Sequence, residues 1–594
     1  MDRKAWTVIV LCVAALGLWQ WANVTYYSPT PEQRAEAQRV VEEGRAAEAA
    51  RPLPPRPAKV LPERESLALD ILAPSVPREV EKVSTELADF YFVSDSAGIE
   101  QVILLDHLGE NGAKVALNIP EALPIGSIGE EPGVALGGFI REGFGGGNEL
   151  TYSRLMPDGM KIDKVFTVDE AESGQGNYVV NLAVNFTNMG ELAVQRLGFY
   201  VSTGGATPIH SSDMPMYTGI GWCRDGSATF TDVNWFGESS IPLTGIQLRS
   251  ARSVYEEKTD KIQWVGSTNQ YFVSMVAVSE GDQGTDVWAR RMERTHPGLN
   301  GGEEELVLGI EGALGLPGFQ LEPGETRSWV FQIYTGPKDL DRLSELGHDQ
   351  QTVMNFGIFK WVSVILLYSM NAIYGVLGSF AASIIVLTII IKALLWPLQN
   401  KATNSMRKMA ALSPKMAELR EKYKDDPTKM NQELMKLYKD YGVNPFGGCL
   451  PMLIQIPIFF GFYSMLGTAI ELRNSSFFWV HDLSQPDTVA YILGFPLNIL
   501  PLLMAGTMLW QMSLTPKTGD AMQRRMFMFM PLIFILFAYN FASALSLYWT
   551  TQNLISVVQL YATRNRPLPD LEKKPAKEKK ALEQGKGKKR RSGS

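Results

Sequence analysis

The stretch FAASIIVLTIIIKALLWP (residues 380–397) is apolar apart from Ser383, Thr388 and one charged residue, Lys392. Its length suits a helix crossing a hydrocarbon core of roughly 30 Å. An ammonium at mid-helix costs roughly 2.5–3.5 kcal/mol on insertion scales, so it ordinarily faces a bundle interior or a water-filled cavity. Two readings of Lys392 stay open. It either snorkels past Leu398 to the membrane surface, about 9 Å away along the helix, or it heads a wet groove open to the cytoplasm. In the groove reading Thr388, Gln455 and Asn553 form the neutral lining, and no acid in the surrounding spans pairs with the ammonium. Tyr548 with Gln552, and Trp549 with Asn553, are i,i+4 pairs in the last span.

Working outward, the whole-chain averages (594 residues, 45% hydrophobic, net charge −7) conceal a very uneven distribution. An apolar run follows Arg3-Lys4 over residues 5–22, flanked by Trp6, Trp19 and Trp21, and reads as an uncleaved signal anchor within residues 1–27. Residues 28–80, Glu/Ala/Arg-rich and then Pro-rich, read as a flexible linker. Residues 81–345 carry period-two strands such as YVVNLAVNF (178–186) and predict a large all-β, mostly antiparallel sandwich. Of three cysteines only Cys223 falls in this soluble part, so no disulfide staples it.

Beyond residue 345 the pattern turns helical. Residues 352–374 carry Lys360, Trp361 and Asn371 and read as an interfacial helix. Spans are expected at 378–398, 446–470 and 489–512, and twice within 526–562 around a tight outer turn at 540–543. With the anchor they make six transmembrane helices, the last five forming an all-α core over 375–565. Residues 400–445 hold ten Lys/Arg against six acids, and 564–594 hold twelve against four. Both termini inside would place these basic segments in the cytoplasm and the acidic sandwich outside, as the positive-inside rule asks.

Within 400–445, Ser413-Pro414 and Asp426-Pro427 read as helix starts and Gly442 as a stop. Met416, Leu419 and Tyr423 on one helix, and Met430, Leu434 and Leu437 on the next, predict a cytoplasmic helical hairpin. Such a hairpin is a stiff spacer or a docking surface. The tail residues Lys586, Lys588, Lys589, Arg590 and Arg591 form a basic cluster suited to ribosomal RNA or anionic lipids. No GxxxxGK[ST] loop occurs, so no nucleotide hydrolysis is expected; no cofactor, metal or small-molecule substrate is expected either.

The motifs SIIVLTIIIKALLWPL, LSPKMAELREKY, NPFGGCLPMLIQIPIF (444–459), FFWVHDLSQPD and MPLIFILFAYNFASALSLYWTTQN together resemble the YidC/Oxa/Alb membrane protein insertases. The anchor and outer sandwich make the chain similar to the Gram-negative form, a multi-pass protein of the inner membrane. The resemblance implies a non-enzymatic chaperone for nascent membrane proteins, working alone or beside the Sec translocon. It implies a groove whose basic residue falls on Lys392, where the family usually has arginine, and an important threonine falling on Thr388. Trp549 falls on a position usually tyrosine. The outer domain resembles a galactose-mutarotase-like supersandwich without a catalytic His/Glu set. A solute or ion transporter using Lys392 predicts paired acids or inverted repeats between spans, and neither is visible. A carbohydrate-active outer enzyme predicts a cleft lined by aromatic and carboxylate pairs.

Overall fold

A computed structural model describes residues 78–564, apart from 110–111, 120, 144–147, 169–177, 211, 241–246, 297–304, 444–449, 493–494, 516–530, 532–533 and 536–537. The anchor at 1–27, nearly all of the linker, the basic tail, Cys449 and most of the fifth expected span lie outside the described residues. The described residues fall within one compact unit, Ser75–Gly519 with Phe527–Ser594.

Alternation of apolar and polar residues builds the first half. Along Met160–Val168 every second side chain is buried, and the pattern continues in Val179–Asn188 beside it and in Thr326–Pro337 on the far side of that strand. All pairings are antiparallel within a four-stranded sheet and a 13-stranded sheet. A twisted sheet of that width curls rather than staying open, which gives its buried face something to close on. Phe186, Phe199, Phe319 and Trp329 meet there with ring centroids 5.0–6.4 Å apart.

The second half is helical. Short helix α1 (Leu340–Glu345), capped by Asp339, leaves the sandwich. Helix α2 (Lys360–Leu377) ends at Gly378, whose φ of 64° permits the left-handed stop. Ser379 then caps α3 (Phe380–Lys422), a continuous helix of 43 residues, about 64 Å long. Helices α4 (Pro427–Tyr441), α5 (Leu450–Thr468), α6 (Ile499–Leu514) and α7 (Ser543–Arg564) follow. Among the described residues, Gly357–Leu377 and Phe380–Lys422 are long and apolar enough to cross a membrane, and Ile499–Leu514 is a shorter apolar helix.

Two local expectations are corrected. Ser413-Pro414 does not start a helix: Pro414 lies inside α3. The hydrogen bond lost there is outweighed because the apolar face of Leu412 and Met416 runs on through Pro414 and packs against Leu434 of α4. The apolar run from 489 is not helical throughout. Thr488–Ile492 pairs with Phe495–Asn498 as an antiparallel hairpin, and helix begins only at Ile499. Asp426 and Gly442 do cap α4 as read from the sequence.

The two halves are joined at one seam. The Gln270 side-chain amide donates to the Gly467 carbonyl at 2.8 Å, and the Tyr271 hydroxyl to the Ser484 carbonyl at 3.2 Å. Gln485 donates to Asp213 at 3.1 Å. Arg473 donates to the Leu108 carbonyl at 2.6 Å and lies over the rings of Tyr271 and Phe272.

Candidate functional site

Helical spacing brings α3, α5 and α7 together around a cleft of about 450 Å³, part of it open to solvent. Thr388, Lys392 and Gln399 line it from α3, Gln455 and Phe462 from α5, and Tyr548 and Gln552 from α7. Lys392 is the one charged side chain in that lining among the described residues. The residue is 5% exposed, whereas Ile390 is 44% and Leu394 73% exposed on the same helix. This inside-out arrangement, with the cation within and aliphatics without, suits lipid around the bundle and would be unfavourable in water.

The Lys392 ammonium is bonded within the bundle. Its Nζ donates to the Ser556 hydroxyl at 2.9 Å, and Ser556 in turn donates to the Gln552 carbonyl at 2.9 Å. The stem thus reaches from α3 to α7, where its ammonium is bonded. No carboxylate of the described residues lies within ion-pair distance.

The rest of the lining mixes Ile391, Leu395, Leu398, Ile458 and Phe462 with neutral polar groups that are sparsely bonded. Thr388 turns its hydroxyl back to the Ile384 carbonyl at 2.6 Å, a bond that loosens and bends helices. Tyr548 stacks on Phe462 at 4.1 Å with an interplanar angle of 20°, and its buried hydroxyl has no partner among the described residues. A buried phenol facing a cleft implies water or a visiting polar group as that partner.

Two named residues lie elsewhere. Trp549 packs against Phe459 at 4.6 Å and Phe534 at 4.2 Å. Asn553 donates to the Met504 carbonyl at 3.3 Å and Thr507 hydroxyl at 3.2 Å, bracing α7 on α6. Ser556 escaped the sequence reading, although Tyr548, Gln552 and Ser556 recur every four residues and mark one polar face. Farther along α7, Gln559 donates to Asn400 at 3.1 Å.

At the far end of α3, Met416 and Leu434 are buried together, with Leu419, Met430 and Leu437 packed against them. Tyr423 stands apart at the turn, its ring 5.5 Å from the ammonium groups of both Lys422 and Lys429. The cluster Lys586 to Arg591 lies outside the described residues.

Known proteins match this chain over most of its length. A family model described as 60Kd inner membrane protein matches residues 372–569, and one described as YidC periplasmic domain matches residues 146–369. The membrane protein insertase YidC of Syntrophobacter fumaroxidans is 41% identical over 423 residues, 69% of this chain and 70% of its own length. Its namesake in Syntrophus aciditrophicus is 30% identical over 598 residues, 94% of this chain and 99% of the relative. A crystal structure described as an active YidC insertase with its first transmembrane domain resolved is 19% identical. It covers 84% of this chain and 97% of its own, with a TM-score of 0.33.

Proposed function

Because the chain belongs to the YidC family of membrane protein insertases, we propose that its Lys392 cleft is where a nascent membrane protein rests part-way into the bilayer. The chain is an insertase and chaperone, not an enzyme, with a β-rich periplasmic domain on an inner-membrane helical core. Six spans with both termini in the cytoplasm agree with the basic segments at 400–445 and 564–594. In that arrangement the outer domain is a supersandwich, α2 lies along the outer surface, and the helical pair of α4 and the end of α3 projects into the cytoplasm.

One observation carries the mechanism: a buried cation whose hydrogen-bond partner among the described residues is a serine hydroxyl, in a cleft lined by apolar and neutral polar groups. A client's hydrophobic helix drives its own transfer, by a few tenths of a kcal/mol for each Leu, Ile or Phe near mid-bilayer. The barrier lies in the short polar flank that must cross. Water, Gln455, Gln552 and the Tyr548 hydroxyl let that flank enter without full dehydration, and Lys392 attracts its acidic residues. The greasy segment then leaves sideways between helices into lipid. The helical hairpin and basic tail receive the client, with the ribosome, anionic lipids and the Sec translocon as partners.

Depleting the protein and following a short single-span client in membrane vesicles tests this. Insertion should fall, and a photo-crosslinker at Lys392 or Gln455 should capture ribosome-bound nascent chains. Undiminished insertion, or crosslinks to lipid alone, would sink the reading.

A further inference from the structure

We propose that the loop joining α5 to α6 is a separate membrane-anchoring element, whose paired strands Thr488–Ile492 and Phe495–Asn498 seat in the outer-leaflet interface of the lipid bilayer. The proposal rests on the reading of α6 as a span.

The hairpin has no charged residue between 488 and 498. Tyr491 and Ile492 are consecutive, so they point to opposite faces of the ribbon, yet they are 58% and 56% exposed, and Phe495 is 77% exposed. Toward its turn, therefore, the ribbon presents exposed apolar groups on both faces. A lone two-stranded ribbon is marginal in water, and one with bare aliphatic and aromatic groups on both sides needs cover. The nearby turn Phe477–Val480 adds Phe478, 84% exposed and stacked with Trp479.

Position identifies the cover as lipid. Helix α6 has 16 residues, about 24 Å against a hydrocarbon thickness of roughly 30 Å. The hairpin enters this helix directly, at Asn498 and Ile499, and so occupies the level where the bilayer's outer margin continues. Its exposed residues extend the outward apolar surface of Leu502 and Leu503 on α6. Tyr and Trp, here Tyr491 and Trp479, are enriched in this zone. The unpaired strand edges keep the ribbon in the hydrated interface rather than the hydrocarbon.

The base is built to hold that position. Thr488 donates to Asn498 at 2.7 Å, and Asn498 donates through its side chain to the Tyr539 carbonyl at 2.8 Å. The Tyr539 hydroxyl returns a bond to the Pro496 carbonyl at 2.6 Å. One oxygen of Asp487 accepts from Trp479 Nε1 at 3.0 Å and from the Leu500 backbone at 2.6 Å. These bonds tie the base of the hairpin and Trp479 to the outer end of α6.

The experiment uses the full chain with Cys12, Cys223 and Cys449 replaced, in phosphatidylethanolamine–phosphatidylglycerol vesicles. An environment-sensitive fluorophore is placed by Ile492→Cys, by Leu509→Cys on α6, and by Leu197→Cys, whose parent leucine is 97% exposed on the sandwich. Lipids spin-labelled near the headgroup should quench the label at 492 several-fold more than that at 197, and iodide in water should quench it only in part. Quenching at 492 equal to that at 197, with 509 still quenched from deeper lipid labels, overturns the hairpin proposal and leaves the span intact. A label at 492 protected from iodide yet blind to labelled lipid shows protein cover and also overturns it. Loss of quenching at both 492 and 509 removes the span reading and the hairpin with it.

Discussion

Replacing Lys392 by methionine keeps most of the stem's volume and removes the charge, so it isolates the electrostatic part of the cleft's action. A client carboxylate entering the cleft could approach the ammonium to about 5 Å. At an effective dielectric near 20 that attraction is about 3 kcal/mol. Partial dehydration of both groups offsets roughly half, leaving about 1–2 kcal/mol on the barrier, or about 5- to 30-fold in rate. Lys392→Met should slow insertion by that factor for a client with Asp or Glu in its translocated flank. A client differing only by Asn or Gln at those positions should be nearly unaffected. Lys392→Arg should stay within a few-fold of the parent, since Ser556 offers one acceptor and no bidentate partner. Protease protection of the paired clients in reconstituted vesicles reads both rates. The Met variant should also be at least as heat-stable as the parent, because it removes a buried cation without a counter-ion. Equal slowing of the two clients, or clear destabilisation, would refute the electrostatic account and make Lys392 a strut between α3 and α7.

Asp487→Ala should lower thermal stability by about 1–2 kcal/mol, because it removes an acceptor from the first turn of α6 and from Trp479 at once; Asp487→Asn, which keeps one acceptor, should lose less. Burial pushes the Lys338 ammonium down to about 7 from 10.5. The unfolded chain then takes up a proton that the folded one refuses as pH falls from 10.5 to 7, so this group removes stability across that window, and the loss is complete below it. Lys338→Met should thus resist denaturant better than the parent at pH 7, on the order of 4 kcal/mol, with the gap closing towards pH 10. Burial and then the neighbouring Arg473 hold the His107 imidazole down to about 4 from 6.5. Parent stability should therefore fall as pH drops from 6.5 to 4, and more steeply than in His107→Gln; allowing for the ring's partial exposure, the difference is about 2 kcal/mol at most. Parallel pH curves would remove the assignment.

The features legible in the sequence came from periodicities short enough to lie within one element. Thr388 with Lys392, and Tyr548 with Gln552, meet at the cleft because four residues turn a helix through about 400°, so each pair shares a face whatever the helix packs on. The same spacing misled for Trp549 and Asn553. They also form an i,i+4 pair, but one residue on is about 100° round, and that face turns to Phe459, Phe534 and α6. Which face of α7 meets the cleft depends on the neighbours on both sides, and no spacing within α7 records them. The pairing of Thr488–Ile492 with Phe495–Asn498 was hidden for a different reason. A continuous apolar run has no period to distinguish strand from helix, and only the Gly494-Phe495-Pro496 break with its β-branched and aromatic company hinted at a turn. Arg473 was less legible still. A lone arginine in an outer loop reads as solvated, yet it is buried between Tyr271 and Phe272, more than two hundred positions earlier in the chain. A cation placed on two rings with one carbonyl acceptor is stabilised only by the finished seam, so its role is a property of the assembled fold rather than of any segment.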